Sequence, residues 1–238
     1  MRTIITVVFV LITLFSCSPS QFVVPLNKKD HAIGVNLGGP LIEYSGLVIP
    51  VPFSSITYGY GLQKRTTVFG ALHATSLAYG VIHTELGLTR ELKYWEGSKV
   101  GLSFSPKINF MTDKWEWNYK LYPQIDLNAY WFFRGEPHRR CDCRGPFKGS
   151  AYLYAGLGNW FELSTKRYAN VAQQTNWVLM PQLGVNFGTD SWKYNFELKY
   201  MGLGVPNDNT VVTYFNPISD KGVMGVYFTV HKIIIAKK

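Results

Sequence analysis

The sequence predicts an all-β protein: a single antiparallel β-barrel of the transmembrane type, with about ten strands and a range of roughly eight to twelve. Three observations favour this fold. Long segments alternate between apolar and polar residues, and tryptophans stand at the starts of several of them. No apolar run after residue 17 reaches the about 20 residues that a transmembrane helix needs. Hydrophobicity that is spread by alternation is typical of strands with lipid on one side and a polar interior on the other.

The longest alternating segment runs from residue 115 to residue 133. Its odd-numbered positions are all apolar or aromatic, whereas most even-numbered positions are polar or charged. A period of two places the two sets on opposite faces of one strand. The segment is far longer than an ordinary strand of about 5–6 residues, which suits a closed barrel in a membrane. The residues expected to face lipid are Trp115, Trp117, Leu121, Ile125, Leu127 and Trp131.

The remaining strands follow from shorter alternating patterns separated by turn signals. In chain order we expect strands at 32–37, 56–62, 67–75, 79–89, 99–110, 115–133, 150–163, 177–188, 192–201 and 222–233, with residues 41–51 adding or extending a strand. Turns are expected at 112–113 and 188–190. Trp115, Trp177 and Trp192 begin strands, as an interfacial aromatic girdle requires. Prolines at positions 106, 123 and 181 count against uninterrupted strands, although bulges could absorb them.

The N-terminus predicts export. An apolar run of about a dozen residues, 4–15, follows the basic residue Arg2 and has the length of a secretory signal. It ends in Leu14-Phe15-Ser16-Cys17, which resembles the lipobox of bacterial lipoproteins, where the cysteine is lipidated before cleavage. This resemblance implies a signal peptide at 1–16, a lipidated tether at 17–30 and a barrel at 31–238. Ser18 follows the cysteine, and the resemblance therefore points to the outer membrane. The other interpretation is an ordinary signal peptide with an incidental cysteine.

Charge and cysteines narrow the choice of partners. The chain has a formal net charge of +9, which favours anionic surfaces such as phosphorylated lipids, but it shows no nucleic-acid motif. The basic loop 134–148 could bind such phosphates or be a solvated loop. Within it, Cys141 and Cys143 could form a strained disulfide, remain free or otherwise paired, or bind metal. Nearby His138 alone does not complete a metal site, so we expect neither a metal nor a cofactor.

Charged residues on the polar strand faces are the candidate functional residues. A barrel of about ten strands is narrow, so charges that point inward should pair across it. This predicts a polar network in the lumen that either rigidifies the interior or forms a ligand or ion path. Its expected members are Glu116, Lys120, Asp126, Lys193, Glu197 and Lys199.

Together these features resemble a small outer-membrane β-barrel protein of the Gram-negative type with a lipoprotein signal, a combination most familiar from the Bacteroidetes. The resemblance implies an outer-membrane location, acyl chains such as palmitate on Cys17, and outer-membrane lipids and other envelope proteins as partners. The chain departs from the usual form at its end, where Lys238 replaces a terminal aromatic residue. We expect a non-enzymatic role, as an envelope scaffold, a subunit of a complex or a narrow transport element.

Two other functions stay open. Outer-membrane lipid A deacylases use a His-x-Ser element, and no histidine of this chain has a serine two residues later. His73 and His83, with Glu85, could still form an acid–base set in a lipid A-modifying enzyme. A soluble, lipid-anchored periplasmic barrel that binds a hydrophobic ligand would also alternate, with its apolar face inward. Charged residues make up only 16% of the chain, which favours the membrane barrel over a solvated exterior.

Overall fold

The computed structural model describes residues 19–136, 149–164, 175–206, 213–218 and 221–236. In chain order its elements are β1 (His31–Tyr44), β2 (Leu47–Pro50), β3 (Ser54–Gln63), β4 (Thr66–His73), α1 (Ala74–Ala78), β5 (Val81–Trp95), β6 (Val100–Asp113), β7 (Tyr119–Arg134), β8 (Ser150–Phe161), β9 (Trp177–Gly188), β10 (Trp192–Pro206) and β11 (Lys221–Ile234). None of the described helices is long and apolar enough to cross a membrane.

The described strands form a closed antiparallel barrel. Each strand from β3 to β11 pairs with its neighbour in sequence, and β1 pairs with both β3 and β11. Within the described residues ten strands complete the circle, because β2 pairs only with the distal half of β1, as a hairpin that extends past the barrel rim. The predicted fold class, an antiparallel barrel of about ten strands, is therefore confirmed.

The apolar face of the barrel points outward on all ten strands. Large apolar side chains with more than a third of their surface exposed include Val35, Tyr58, Leu72, Leu86, Ile108, Leu127, Leu153, Leu183, Phe196 and Phe228, one from each strand. On β7 the odd-numbered positions face outward, with Leu121, Leu127 and Trp131 exposed and Ile125 half-buried. Their even-numbered neighbours are buried in the interior. This is the arrangement of a membrane barrel and the reverse of a soluble one.

Several strand boundaries differ from the prediction. Residues 114–117 form the turn between β6 and β7, so Trp115 and Trp117 are exposed beside the strand instead of within it. Asp113 stabilises this turn, because its carboxylate accepts the backbone N–H groups of Trp115, Glu116 and Asn118 at 2.7–3.1 Å. β4 ends at His73 where α1 begins, and β5 continues to Trp95.

The three prolines occupy strands without shifting the register of the ladder. The β5–β6 ladder lapses opposite Pro106, between the pairs Gly87–Lys107 and Arg90–Phe104, and resumes in the same register. The β7–β8 ladder ends next to Pro123, and the β9–β10 ladder ends next to Pro181. Each proline thus lies where one neighbouring ladder is interrupted or has ended, and its missing N–H costs little there.

Candidate functional site in the barrel interior

The centre of the interior holds a buried ammonium between two carboxylates. The Lys107 Nζ atom on β6 lies 3.4 Å from Glu85 Oε2 on β5 and 3.3 Å from Asp126 Oδ2 on β7. The side chains of all three residues are at most 2% exposed. The Gln124 amide donates to Asp126 Oδ1 at 2.8 Å, which holds this carboxylate in place. Charges this deeply buried are stable only when they are paired.

A second cluster lies on the opposite wall around Glu197 of β10. Its carboxylate lies 3.1 Å from the Lys199 Nζ atom and accepts the Tyr154 hydroxyl at 2.7 Å. The Asn195 amide donates in turn to the Tyr154 hydroxyl oxygen at 3.0 Å. Glu197 and Lys199 have fully buried side chains. This cluster therefore presents one carboxylate to the lumen with an ammonium and a phenol as its partners.

A third charged cluster, around Glu91 on β5, lies toward the end of the barrel that carries the chain termini. Glu91 pairs with Arg65 in the β3–β4 turn at 3.1 Å and accepts the Tyr130 hydroxyl at 2.6 Å. The described interior thus carries ionised groups at several heights along the barrel axis, each within ion-pair or hydrogen-bond distance of a partner side chain.

The six residues of the predicted network do not form one cluster. Asp126, Glu197 and Lys199 are buried in the interior, in two separate groups. Lys193 is half-buried at the other end of β10, where its ammonium donates to the Ser150 hydroxyl at 2.6 Å. Lys120 lies near the opposite rim, a third exposed and 4.0 Å from Glu162.

The prediction that Glu116 faces the lumen is wrong. This residue is exposed in the β6–β7 turn and accepts the Asn118 amide at 2.8 Å, because the strand starts only at Tyr119. The prediction also missed Lys107 and Glu85 as network members. Their signal was present in the alternation, since Lys107 shares the polar face of β6 with Ser105 and Asn109.

The segment 19–30 occupies the lumen. It was predicted to be part of a polar tether, but Ser20, Gln21, Phe22, Val23 and Asp30 are all at most 7% exposed. The physical reason lies in its apolar side chains, which pack inside the barrel. Phe22 stacks on His231 with ring centroids 4.7 Å apart and also contacts Phe69. Val23 packs in a cluster with Tyr130, Phe132, Tyr152 and Tyr154.

The walls hold the main chain of this segment. The Ser20 N–H donates to both carboxylate oxygens of Glu197, at 3.2 and 3.1 Å. The Leu26 N–H donates to the Thr67 hydroxyl at 2.7 Å. Glu197 lies five residues into β10, about 13 Å from the rim along a strand tilted by about 40°. The segment therefore reaches well into the barrel.

The remaining candidate residues are the three cysteines, the basic loop and the histidine pair. Cys17, Cys141 and Cys143 lie outside the described residues, as does most of the basic loop. His73 and His83 stack with ring centroids 3.6 Å apart, and both are buried inside the barrel beside Glu85, away from its outward apolar face. Within the described part of the chain no three His, Cys, Asp or Glu residues are grouped as a metal site.

Comparison with known proteins yields likeness of fold only. No family model and no curated protein sequence matches the chain. Among solved structures, the N-terminal β-barrel domain of Pseudomonas aeruginosa OprF is 12% identical, with a TM-score of 0.32, over 88% of this chain and 100% of that one. The NanC porin is 8% identical with a TM-score of 0.41, over 85% and 98%. Ail of Yersinia pestis is 7% identical with a TM-score of 0.28, over 87% and 99%.

Proposed function

We propose that the protein is an integral outer-membrane β-barrel lipoprotein, anchored in addition by acyl chains on Cys17, with a non-enzymatic role as a narrow transport element of the envelope. The observation that carries this proposal is the division of its surfaces. All ten barrel strands turn exposed apolar side chains outward, while the interior carries buried ammonium and carboxylate groups. Buried ion pairs stabilise a scaffold no better than apolar packing does, whereas a transport path needs charged groups in the lumen, so the lumen favours transport.

The outward band also argues against a soluble lipid-anchored domain on physical grounds. An exposed apolar patch on a soluble monomer rarely exceeds a few hundred Å². Here such side chains encircle the barrel, and burying them in lipid contributes roughly 25 cal/mol per Å². The partners that this surface fits are the lipids of the outer membrane.

The structure offers no support for the lipid A-modifying alternative. An enzyme that acts on a lipid of the surrounding leaflet must present its reactive groups to that leaflet. The His73 and His83 side chains point into the barrel and are at most 5% exposed. We therefore expect lipid A composition to be the same in cells with the wild-type protein and with the His83→Ala variant. A loss of acyl-chain trimming in the variant would restore the enzymatic interpretation.

Carbonate extraction of the Cys17→Ser variant tests the proposal. A soluble domain loses its only anchor in this variant and is released, whereas an integral barrel remains in the membrane pellet. Cys141→Ser is the matched control, since it removes a cysteine without touching the lipobox. Mass spectrometry of the wild-type protein should show acylated Cys17 as the first residue. Release of the Cys17→Ser protein by carbonate would contradict the barrel, and an unmodified Cys17 would contradict the anchor.

A further inference from the structure

We propose that residues 19–26 are a releasable plug, and that its withdrawal opens a conduit for small cations through the barrel. This inference rests on the proposed membrane-spanning function. The structure with residues 19–26 seated is then the closed state of the transport path. We call residues 19–26 the plug from here on.

The plug is attached differently at its two ends. At the rim, the neighbouring residues are fastened to the wall: the Lys29 N–H donates to the Gly61 carbonyl at 2.7 Å, and the Asp30 carboxylate accepts the Ala236 N–H at 3.0 Å. Lys29 also has a positive φ of 69°, which marks a sharp change of direction. Deeper in the lumen, the plug belongs to no strand. There the Ser20 N–H donates to the Glu197 carboxylate, and the Phe22 and Val23 side chains pack against side chains of the wall. The rim residues therefore form a pivot about which the plug can leave as one piece.

Glycines in β3 make room for the plug. A Cβ atom on Gly59 would lie 2.5 Å from Cζ of the Phe22 ring, and one on Gly61 would collide with the Asn27 carbonyl oxygen. Both glycines have ordinary strand conformations, so their backbone does not require glycine. Their lack of a side chain is needed only while the segment is seated. The glycines thus leave the space that the segment occupies, and the strand itself does not depend on the segment for its conformation.

The plug does not fill the part of the lumen in which it lies. A cavity of about 120 Å³ remains between the plug and the wall, lined by residues that include Phe132, Tyr152, Asn195 and His231. A cavity of this volume has room for several water molecules. Wall side chains therefore leave this part of the interior unfilled, and removal of the plug would join the cavity to the space that the plug vacates.

The charges favour cations once the plug is out. The fully buried ion-pair groups near the centre are the carboxylates Glu85, Asp126 and Glu197 and the ammoniums Lys107 and Lys199. Glu197 also loses the Ser20 N–H that both of its oxygens accept in the closed state. Glu197 keeps Lys199 and Tyr154 as partners, so the central groups are three carboxylates and two ammoniums. This excess of negative charge in a narrow lumen of low dielectric attracts cations and repels anions.

Substitution of Gly59 by leucine tests the plug, with Gly70→Leu as the matched control. Gly70 faces outward on the adjacent strand β4, where a Cβ atom would lie 3.1 Å from the flexible Leu86 side chain. Both variants are made in a parent with all three cysteines replaced by serine and with Val23→Cys. Val23 is only 3% exposed, so a membrane-impermeant maleimide should not label position 23 in the parent or in the Gly70→Leu protein. In the Gly59→Leu protein we expect labelling at least tenfold faster.

Conductance in planar bilayers is the second measurement. Gly59→Leu should raise single-channel conductance at least tenfold over the parent, with a reversal potential that shows preference for K⁺ over Cl⁻, whereas Gly70→Leu should match the parent. Deletion of residues 19–26 opens the lumen without altering the wall and should reproduce the Gly59→Leu result if that variant fails to fold. Labelling of the parent itself, or an opened variant that conducts no better than the parent, would overturn the plug. Anion preference would overturn its ligand class. Carbonate release of all variants would instead reject the membrane barrel.

Discussion

Replacement of Lys107 by methionine should destabilise the barrel more than any comparable change at its rim. Lys107 pairs with Glu85 at 3.4 Å and with Asp126 at 3.3 Å, and none of the three side chains is more than 2% exposed. At an effective dielectric constant of about 20, each pair contributes about 5 kcal/mol of Coulomb attraction, much of which offsets the desolvation of the charges. Methionine fills a similar volume but leaves two carboxylates buried together. Loss of one partner from a buried pair costs about 3–5 kcal/mol.

The assay is reversible urea unfolding of the refolded barrel in detergent micelles, followed by tryptophan fluorescence. Lys120→Met is the matched control, because Lys120 is a third exposed and 4.0 Å from Glu162, and such pairs contribute less than about 1 kcal/mol. Adding Glu85→Gln and Asp126→Asn to Lys107→Met removes the uncompensated charges and should recover at least about 2 kcal/mol. If Lys107→Met lost no more free energy of unfolding than Lys120→Met, the ion cluster would not contribute to stability as the structure implies.

Three further outcomes follow from other parts of the barrel. Leu127→Arg places a charge on the outward face and should lower the free energy of unfolding in lipid vesicles by about 2–4 kcal/mol. Leu47→Arg, on the hairpin beyond the rim, should lower it by less than about 1 kcal/mol. Equal losses would show that Leu127 does not face lipid. Asp113→Ala removes the acceptor for three N–H groups of the β6–β7 turn and should lower the free energy of unfolding by about 1–2 kcal/mol, read from the urea midpoint. Gly101→Ala would drive a methyl group into the Tyr130 ring and should cost about 1–3 kcal/mol, and an unchanged midpoint would contradict this packing.

The alternation of residues predicted the fold and the outward face because it depends on a local rule. Leu121, Leu127 and Trp131 point outward for the same reason that Asp126 points inward, namely the period of two along a strand. The same rule failed at Glu116, since the pattern of Trp115 and Trp117 continues through a turn that Asp113 stabilises. Composition alone does not distinguish an exposed turn from the end of a strand when both carry aromatic residues at every second position.

The contacts in the interior could not be predicted from local sequence patterns, because they depend on strand register and on pairing between distant parts of the chain. Lys107 and Asp126 come together because β6 and β7 pair in a register that places Ser105 opposite Asp126 and Lys107 opposite Gln124. Glu197 meets the N-terminal segment across more than 170 residues of chain. The apolar residues of the plug, such as Phe22, were visible, but their closeness to Cys17 favoured a tether. Long-range packing overrode that local interpretation.

The place of Ser20 sets a limit on what Cys17 can do. Ser20 comes three residues after Cys17, and an extended chain spans at most about 3.6 Å per residue. The chain between them therefore covers no more than about 11 Å, while the Ser20 nitrogen atom is bound in mid-lumen. Once freed, the stretch from residue 17 to the pivot at Lys29 could extend about 40 Å, enough to carry acyl chains around the rim into the surrounding leaflet. One short stretch of chain thus has two incompatible destinations. The proposed acylation of Cys17 and the seated position of Ser20 therefore compete for the same stretch of chain, and acylation would favour release of the plug.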